Sequence, residues 1–270
     1  AAGQLAAFLG AESQDIGFVE NATSGVNAIL RSFDFKAGAE VITTDHVYNA
    51  IRNTLLHRLG SVGAKLVTAE IGMPVPGPRA LHDRVMAAGT PATRMIVIDH
   101  IASVSAAIFP VADIARSARA KGIVVLVDGA HGPGLVDLDI PGIGADFYVG
   151  NCHKWLCAPK GAGFLWAAPD RQTGLHPPVI SHAFGQGFAA EFDLVGTRDA
   201  AAWRSVPAAL EFHETLGGAR MRARTHAVAI AAVERLAARW GTELGAIPEQ
   251  FGGMVTVRIA RGLPQGRESA

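Results

Sequence analysis

Cysteine is nearly absent: the 270 residues hold two, Cys152 and Cys157. Two thiols build no disulfide framework. A structural zinc site takes four Cys or His ligands, and Cys152-His153 and Cys157 have no second cysteine pair to complete one. An excess of one charge is also lacking, since Lys plus Arg and Asp plus Glu stand at 24 each. The total therefore gives no support to nucleic acid or an anionic membrane as partner, because both need a basic face to displace counterions. No apolar run reaches the roughly 20 residues of a membrane span, and no basic segment followed by an apolar core opens the chain as a signal peptide would. The expected location is the reducing cytoplasm. Two catalytic signatures are missing. There is no G-x-S-x-G for a serine hydrolase. No G-x-G-x-x-G follows an early strand, and His131-Gly-Pro-Gly134 has the wrong spacing for a dinucleotide fold.

What is present is apolar: 49% of residues are hydrophobic and 18% are charged. That balance fits a globular enzyme with a sizeable core. Short apolar runs at 41–44, 65–69, 95–99, 123–128, 146–149 and 163–167 read as strands. Stretches at 24–33, 50–59, 80–88, 111–120 and 200–216 read as helices. Near-continuous apolar strands suit a sheet buried on both faces. Their alternation with helices predicts an α/β fold with a mostly parallel, doubly wound sheet. Ligands of such sheets lie outside the carboxyl ends of the strands. Residues 219–240 read as a long Ala/Arg-rich helix leading into the start of a smaller C-terminal α+β domain, with 254–259 as its first strand. The expected division is therefore 1–212 for the large domain and 213–270 for the second. Both ends read as interior positions of a longer chain.

Four polar clusters follow predicted strands. In Ile123-Val-Val-Leu-Val-Asp128-Gly-Ala-His131 a buried strand delivers a carboxylate, which either serves chemistry or caps the next turn. In Phe147-Tyr-Val-Gly-Asn151-Cys-His153-Lys154-Trp155 a lysine stands hemmed by a histidine and a tryptophan. Desolvation turns such a lysine into an amine nucleophile; the alternative is a loop lysine in solvent. Asn21-Ala22-Thr23-Ser24-Gly25 opens a helix, where free N–H groups and the helix dipole hold an anion or where Asn21, Thr23 or Ser24 simply caps. Asp45-His46-Val-Tyr48 places flat rings after a strand, either to cover a planar ligand or to start the next helix.

In this order the four clusters resemble the class V aminotransferase family of fold-type I enzymes that use pyridoxal 5'-phosphate (PLP). The resemblance spans roughly Leu5 to Phe212. The phrases Asn-Ala-Thr-x-Gly-Val-Asn, Asp-His-x-Tyr-Asn-Ala, Asp-Gly-Ala-His and Gly-Thr-Arg-Asp resemble the isopenicillin N epimerase-like members and their C–S lyase relatives most. The resemblance implies that Lys154 holds PLP as a Schiff base and moves the α-proton of an amino-acid substrate. It implies that Asp128 pairs with the pyridine nitrogen and keeps the ring an electron sink. It places His131 near the phenolic oxygen, and His46 on the ring face with Tyr48 as the substitute. Ala22 and Thr23 are implied to form the phosphate turn, with His153 and Asn151 as side-chain donors. Asn151 departs from the serine usual there. Thr197 matches a threonine that reaches the phosphate of a neighbouring subunit, which implies a homodimer with shared active sites.

Epimerase, aminotransferase, C–S lyase and cysteine desulfurase chemistry begin alike, and pocket residues choose between them. Neither Cys152 nor Cys157 stands on the loop where a desulfurase carries its nucleophile. The rival of another class is a truncated, non-catalytic relative: the arginine that clamps a substrate carboxylate in this family has no match, and Arg258 comes too early in the chain to serve.

Overall fold

The computed structural model describes residues 1–260. In chain order the elements are α1 (Ala2–Leu9), β1 (Ile16–Val19), α2 (Ala22–Ser32), β2 (Glu40–Thr44), α3 (Asn49–Val62) and β3 (Lys65–Ala69). There follow α4 (Pro78–Ala87), β4 (Thr93–Asp99), α5 (Val111–Arg119), β5 (Val124–Gly129), α6 (Ile140–Ile143), β6 (Phe147–Asn151) and β7 (Gly163–Ala167). The chain continues through α7 (Phe188–Asp193), α8 (Ala201–Arg204), α9 (Val206–Thr215) and α10 (Ala219–Trp240). All six expected strands are present, joined by β1.

The strands form one sheet in the order β1-β7-β6-β5-β4-β2-β3. β2 through β6 pair in parallel, while β7 runs antiparallel to both β6 and β1. Successive side chains of a strand point to opposite faces. Accordingly Val125 and Val127 of β5, with Ile96 and Ile98 of β4, pack into one core, and their neighbours Leu126, Met95 and Val97 pack into the other. Helices α4, α5, α9 and α1 cover the first face through Leu81, Val85, Ile114, Leu210 and Leu5. Helices α2 and α3 cover the second through Val26, Ile29, Ile51 and Leu55. Burial on both faces explains why these strands carry no polar alternation. Among the described residues no helix is long and apolar enough to cross a membrane.

Two expectations change. The helix expected over 200–216 is two helices, because Pro207 has no N–H to give and its ring clashes with the carbonyl four residues back; it sits instead in the first turn of α9. The strand expected over 254–259 is reduced to an isolated bridge between Leu244 and Val257. A strand needs a ladder partner, and only the short turn 243–245 runs beside it, through Gly245 N–H to Thr256 O and Arg258 N–H to Glu243 O. This segment packs against the loop between β4 and α5, where Thr256 Oγ1 donates to Ser105 O at 2.7 Å. Residues 261–270 of the expected second domain lie outside the described residues.

Candidate active site

Six of the seven strands point the same way, so their carboxyl ends share one edge of the sheet. Five of them deliver residues to a single cavity of about 480 Å³. Asp128 and His131 come from β5, and Asn151, His153 and Lys154 from β6. Asp99 and Ser103 follow β4, Tyr48 follows β2, and Ala22 and Thr23 follow β1.

The turn after β5 is shaped by a buried tyrosine. Tyr148 on β6 lies beneath it, its Oη 3.0 Å from His100 Nδ1. A Cβ on Gly129 would stand 2.0 Å from Tyr148 Cζ, and one on Gly132 would stand 2.2 Å from its Oη. Glycine at both positions lets the backbone close over the ring and carry His131 to the cavity. Burial pushes the Tyr148 hydroxyl up and lowers His100 to about 4, so this pair is neutral.

Asp128 caps the turn and also lines the cavity. Its Oδ1 accepts from Ala130 N–H at 3.0 Å and so caps the turn. Its second oxygen has no hydrogen-bond partner among the described residues, and the residue belongs to the cavity lining. Asp99 stands in register with Asp128 on the neighbouring strand. Its Oδ2 is buried without a partner among the described residues. Burial raises the pKa of both carboxyls; the Asp128 charge raises that of Asp99 further, and Lys154 opposes both shifts.

Lys154 Nζ lies 3.0 Å from His131 Nε2, and Trp155 Nε1 donates to His131 Nδ1 at 3.2 Å. Burial lowers the lysine below its ordinary value, against the pull of Asp128 and Asp99. His131 falls to about 4, first by burial and then by the nearby lysine.

The opposite wall is the start of α2. Asn21 is an N-cap, accepting from Ser24 N–H at 2.9 Å. Asn151 Oδ1 accepts from Ala22 N–H at 2.9 Å. Ala22 therefore lines the cavity with its N–H already engaged, while Thr23 N–H has no partner among the described residues. Asn151 also lines the cavity, and its Nδ2 has no partner among the described residues. His153 Nδ1 bonds Ala162 O at 3.0 Å. A carbonyl only accepts, so the neutral ring carries its proton there and donates from Nε2 only when charged.

Two expected residues are elsewhere. His46 is buried behind the cavity, with Nδ1 bonded to Ser105 Oγ at 2.9 Å and Nε2 to Gly72 O at 3.0 Å. Both ring nitrogens are engaged in tying two loops together, so the ring does not line the cavity; Tyr48, 48% exposed, does. Thr197 is exposed and outside the cavity. Its neighbour Arg198 fastens that loop, donating to Glu20 and to Phe192 O and lying 4.1 Å over the Trp203 ring. Arg258 pairs with Glu243 at 3.0 Å, away from the cavity. Cys152 is buried with its thiol pushed up to about 12, which makes it a poor nucleophile.

The sequence model of the family described as aminotransferase class-V matches residues 1–266. The chain belongs to that family. It is 34% identical to an isopenicillin N epimerase from Streptomyces clavuligerus, over 98% of this chain and 70% of the relative. It is also 34% identical to a putative L-cysteine desulfhydrase 1 from Oryza sativa subsp. japonica, over 91% of this chain and 55% of the relative. The chain thus spans between about half and 70% of the length of these curated relatives. Among solved structures, a C-DES mutant with glycine covalently linked to its PLP cofactor aligns at TM-score 0.83 and 21% identity, over 96% of this chain and 71% of the other. The cysteine desulfurase of Thermococcus onnurineus NA1 aligns at TM-score 0.80 and 19% identity, over 96% and 66%. These structural likenesses establish the fold.

The class V family is one of PLP-dependent enzymes. The cavity fits such a cofactor on its own chemistry. It offers an anion end at the positive pole of α2, two buried carboxyls with unpartnered oxygens, and a lysine amine. Asp99 lines the cavity although the sequence pattern did not single it out. Asp99 had a legible signal: the apolar run 95–98 ends in an aspartate just as 123–127 does.

Proposed function

We propose that this chain is the cofactor-binding part of an enzyme of amino-acid metabolism, acting at the α-carbon or side chain of an amino acid with PLP held through Lys154. The observation that carries this reading is the placement of Lys154 Nζ in the same cavity as Asp128 and the free first-turn donor of α2. Bound PLP supplies an electron sink for charge developing at the substrate α-carbon. The protein's own parts follow from their positions. Thr23 N–H, Asn151 Nδ2 and the α2 dipole bind the phosphate, and a phosphate there raises His153 so that its Nε2 donates as well. Asp128 would hold a proton on the pyridine nitrogen, and His131 would serve as the side chain that meets the phenolic oxygen. Tyr48, in place of His46, covers a ring face. Lys154 Nζ carries the proton to and from the α-carbon. Thr197 reaches the phosphate of the partner subunit in a homodimer. The protein works in the cytoplasm.

The epimerase-like branch is supported by the 34% identity to an isopenicillin N epimerase. C–S lysis is the second reading, favoured by the equal identity to a protein named L-cysteine desulfhydrase. Purified protein incubated with PLP and freed of excess is expected to retain the yellow absorbance of the lysine-bound cofactor. Lys154→Ala is expected to lose it. A folded wild-type protein without that absorbance overturns the assignment. With the cofactor bound, an amino-acid screen separates the branches: conversion of an L-amino acid to its D form marks the epimerase, and sulfide release from cysteine marks the lyase.

A further inference from the structure

His131 is bonded on both ring nitrogens, and the chemistry of its partners fixes where its proton sits. Trp155 Nε1 approaches Nδ1 at 3.2 Å. An indole N–H donates and never accepts, so Nδ1 must be the bare nitrogen. A neutral imidazole then carries its proton on Nε2. That N–H points at Lys154 Nζ, 3.0 Å away. A hydrogen bond in this sense needs a lone pair on the lysine nitrogen, which only the uncharged amine has. An ammonium at Lys154 would require Nε2 to accept as well, leaving the imidazole with no proton at all. A doubly protonated ring would set one N–H against the indole donor. One arrangement satisfies both contacts: indole N–H to Nδ1, and Nε2–H to a neutral amine.

We propose that Trp155 is a positioning residue whose indole N–H locks His131 in the Nε2–H form, and that this N–H in turn holds the Lys154 amine uncharged with its lone pair in place. The charges around the amine set the balance it works against. Asp99 from the end of β4 and Asp128 from the end of β5 favour the ammonium, while His131 and the neighbouring His153 stand near it uncharged. Tyr48 lies on the same cavity. Burial already favours the free amine against the two carboxyls, and the Trp155–His131 chain acts in the same direction by giving the amine's lone pair a donor. This rests on the reading of Lys154 as the nucleophile of the site, but not on the identity of the aldehyde it meets.

The test uses the full chain without cofactor. Nitrogen-15 NMR of histidine-labelled protein, with the signal assigned by its loss in His131→Gln, reports the ring form directly. The wild type is expected to show the neutral Nε2–H form, and Trp155→Phe, which keeps an aromatic ring but removes the donor, a mixture of both neutral forms. In parallel, trace acetylation with acetic anhydride is read by peptide mass. At neutral pH it is expected to modify Lys154 about tenfold more slowly in Trp155→Phe, because a proton held more tightly leaves less free amine. Lys160 serves as the internal control and is expected to be unchanged. His131→Gln is expected to slow Lys154 alike, and the double variant to slow it no further. A wild-type His131 with its proton on Nδ1 overturns the proposal, as does an unchanged Lys154 rate in folded Trp155→Phe. Should Trp155→Phe fail to fold, the wild-type ring form and the His131→Gln rate decide alone. Neither readout involves PLP, so failure of cofactor binding and failure of this proposal are seen separately.

Discussion

At the scale of single residues, the site is governed by carboxyls that burial makes reluctant to ionise. Asp99 holds its proton to higher pH folded than unfolded, because burial and the Asp128 charge both disfavour its anion. The folded state therefore binds more protons above 3.8, the ordinary value, and this group's contribution to stability falls as pH rises from there. Asp99→Asn removes that loss. Urea unfolding of the cofactor-free protein is expected to show the variant ahead at pH 7.5 by roughly 1–3 kcal/mol, because the amide has no charge to desolvate whereas the carboxylate does. The advantage is expected to shrink toward pH 4. Equal stabilities at both pH values would contradict the role given to burial. Asn151 works differently: its Oδ1 satisfies Ala22 N–H at 2.9 Å. Asn151→Ala leaves that donor buried at a cost of about 1–3 kcal/mol, and is expected to weaken phosphate retention in an equilibrium dialysis assay.

Residue-level legibility was uneven for a physical reason. Asp128, His131, Asn151, His153 and Lys154 follow strands closely, and a strand end fixes where the next few residues go, so the sequence order put them at one edge of the sheet and in one cavity. His46 and Tyr48 are two positions apart at the end of β2, and the choice between them depends on which ring finds buried partners. Ser105 and Gly72, distant in sequence, take His46. Long-range hydrogen bonds of this kind leave no local pattern to read.

At the scale of elements, the period of the apolar residues carried the sheet. Val124 to Val127 alternate between two cores, which only a strand covered on both faces can do. Pro207 divided one expected helix into α8 and α9, a break written in the sequence. The residues at 254–259 have strand composition without a strand partner, and composition alone does not supply one. The β5 turn depends on packing against Tyr148. Gly129→Ala puts a methyl carbon 2.0 Å from Tyr148 Cζ. It is expected to destabilise the protein by about 3 kcal/mol, at the upper end of overpacking costs. Thermal unfolding checks this, and a loss below about 1 kcal/mol would mean that the tyrosine moves aside.

At the scale of the whole molecule, Thr197 is the informative residue, because it lies outside its own chain's cavity while Arg198 and Trp203 hold its loop against β1. If it serves a neighbouring site, Lys154→Ala and Thr197→Val chains are each deficient alone. Mixed dimers then regain one intact site, with Lys154 from one chain and Thr197 from the other. Recovery of cofactor retention on mixing, read by absorbance, is the expected result. No recovery among dimers shown to have exchanged subunits would place Thr197 outside the site.

Every role proposed for the cavity depends on one covalent attachment, and peptide mass mapping after borohydride treatment of the PLP-loaded protein tests it most directly. The predicted result is a pyridoxyl-phosphate group fixed on Lys154. The same label on Lys160 or spread over surface lysines, with Lys154 unmodified, would contradict it.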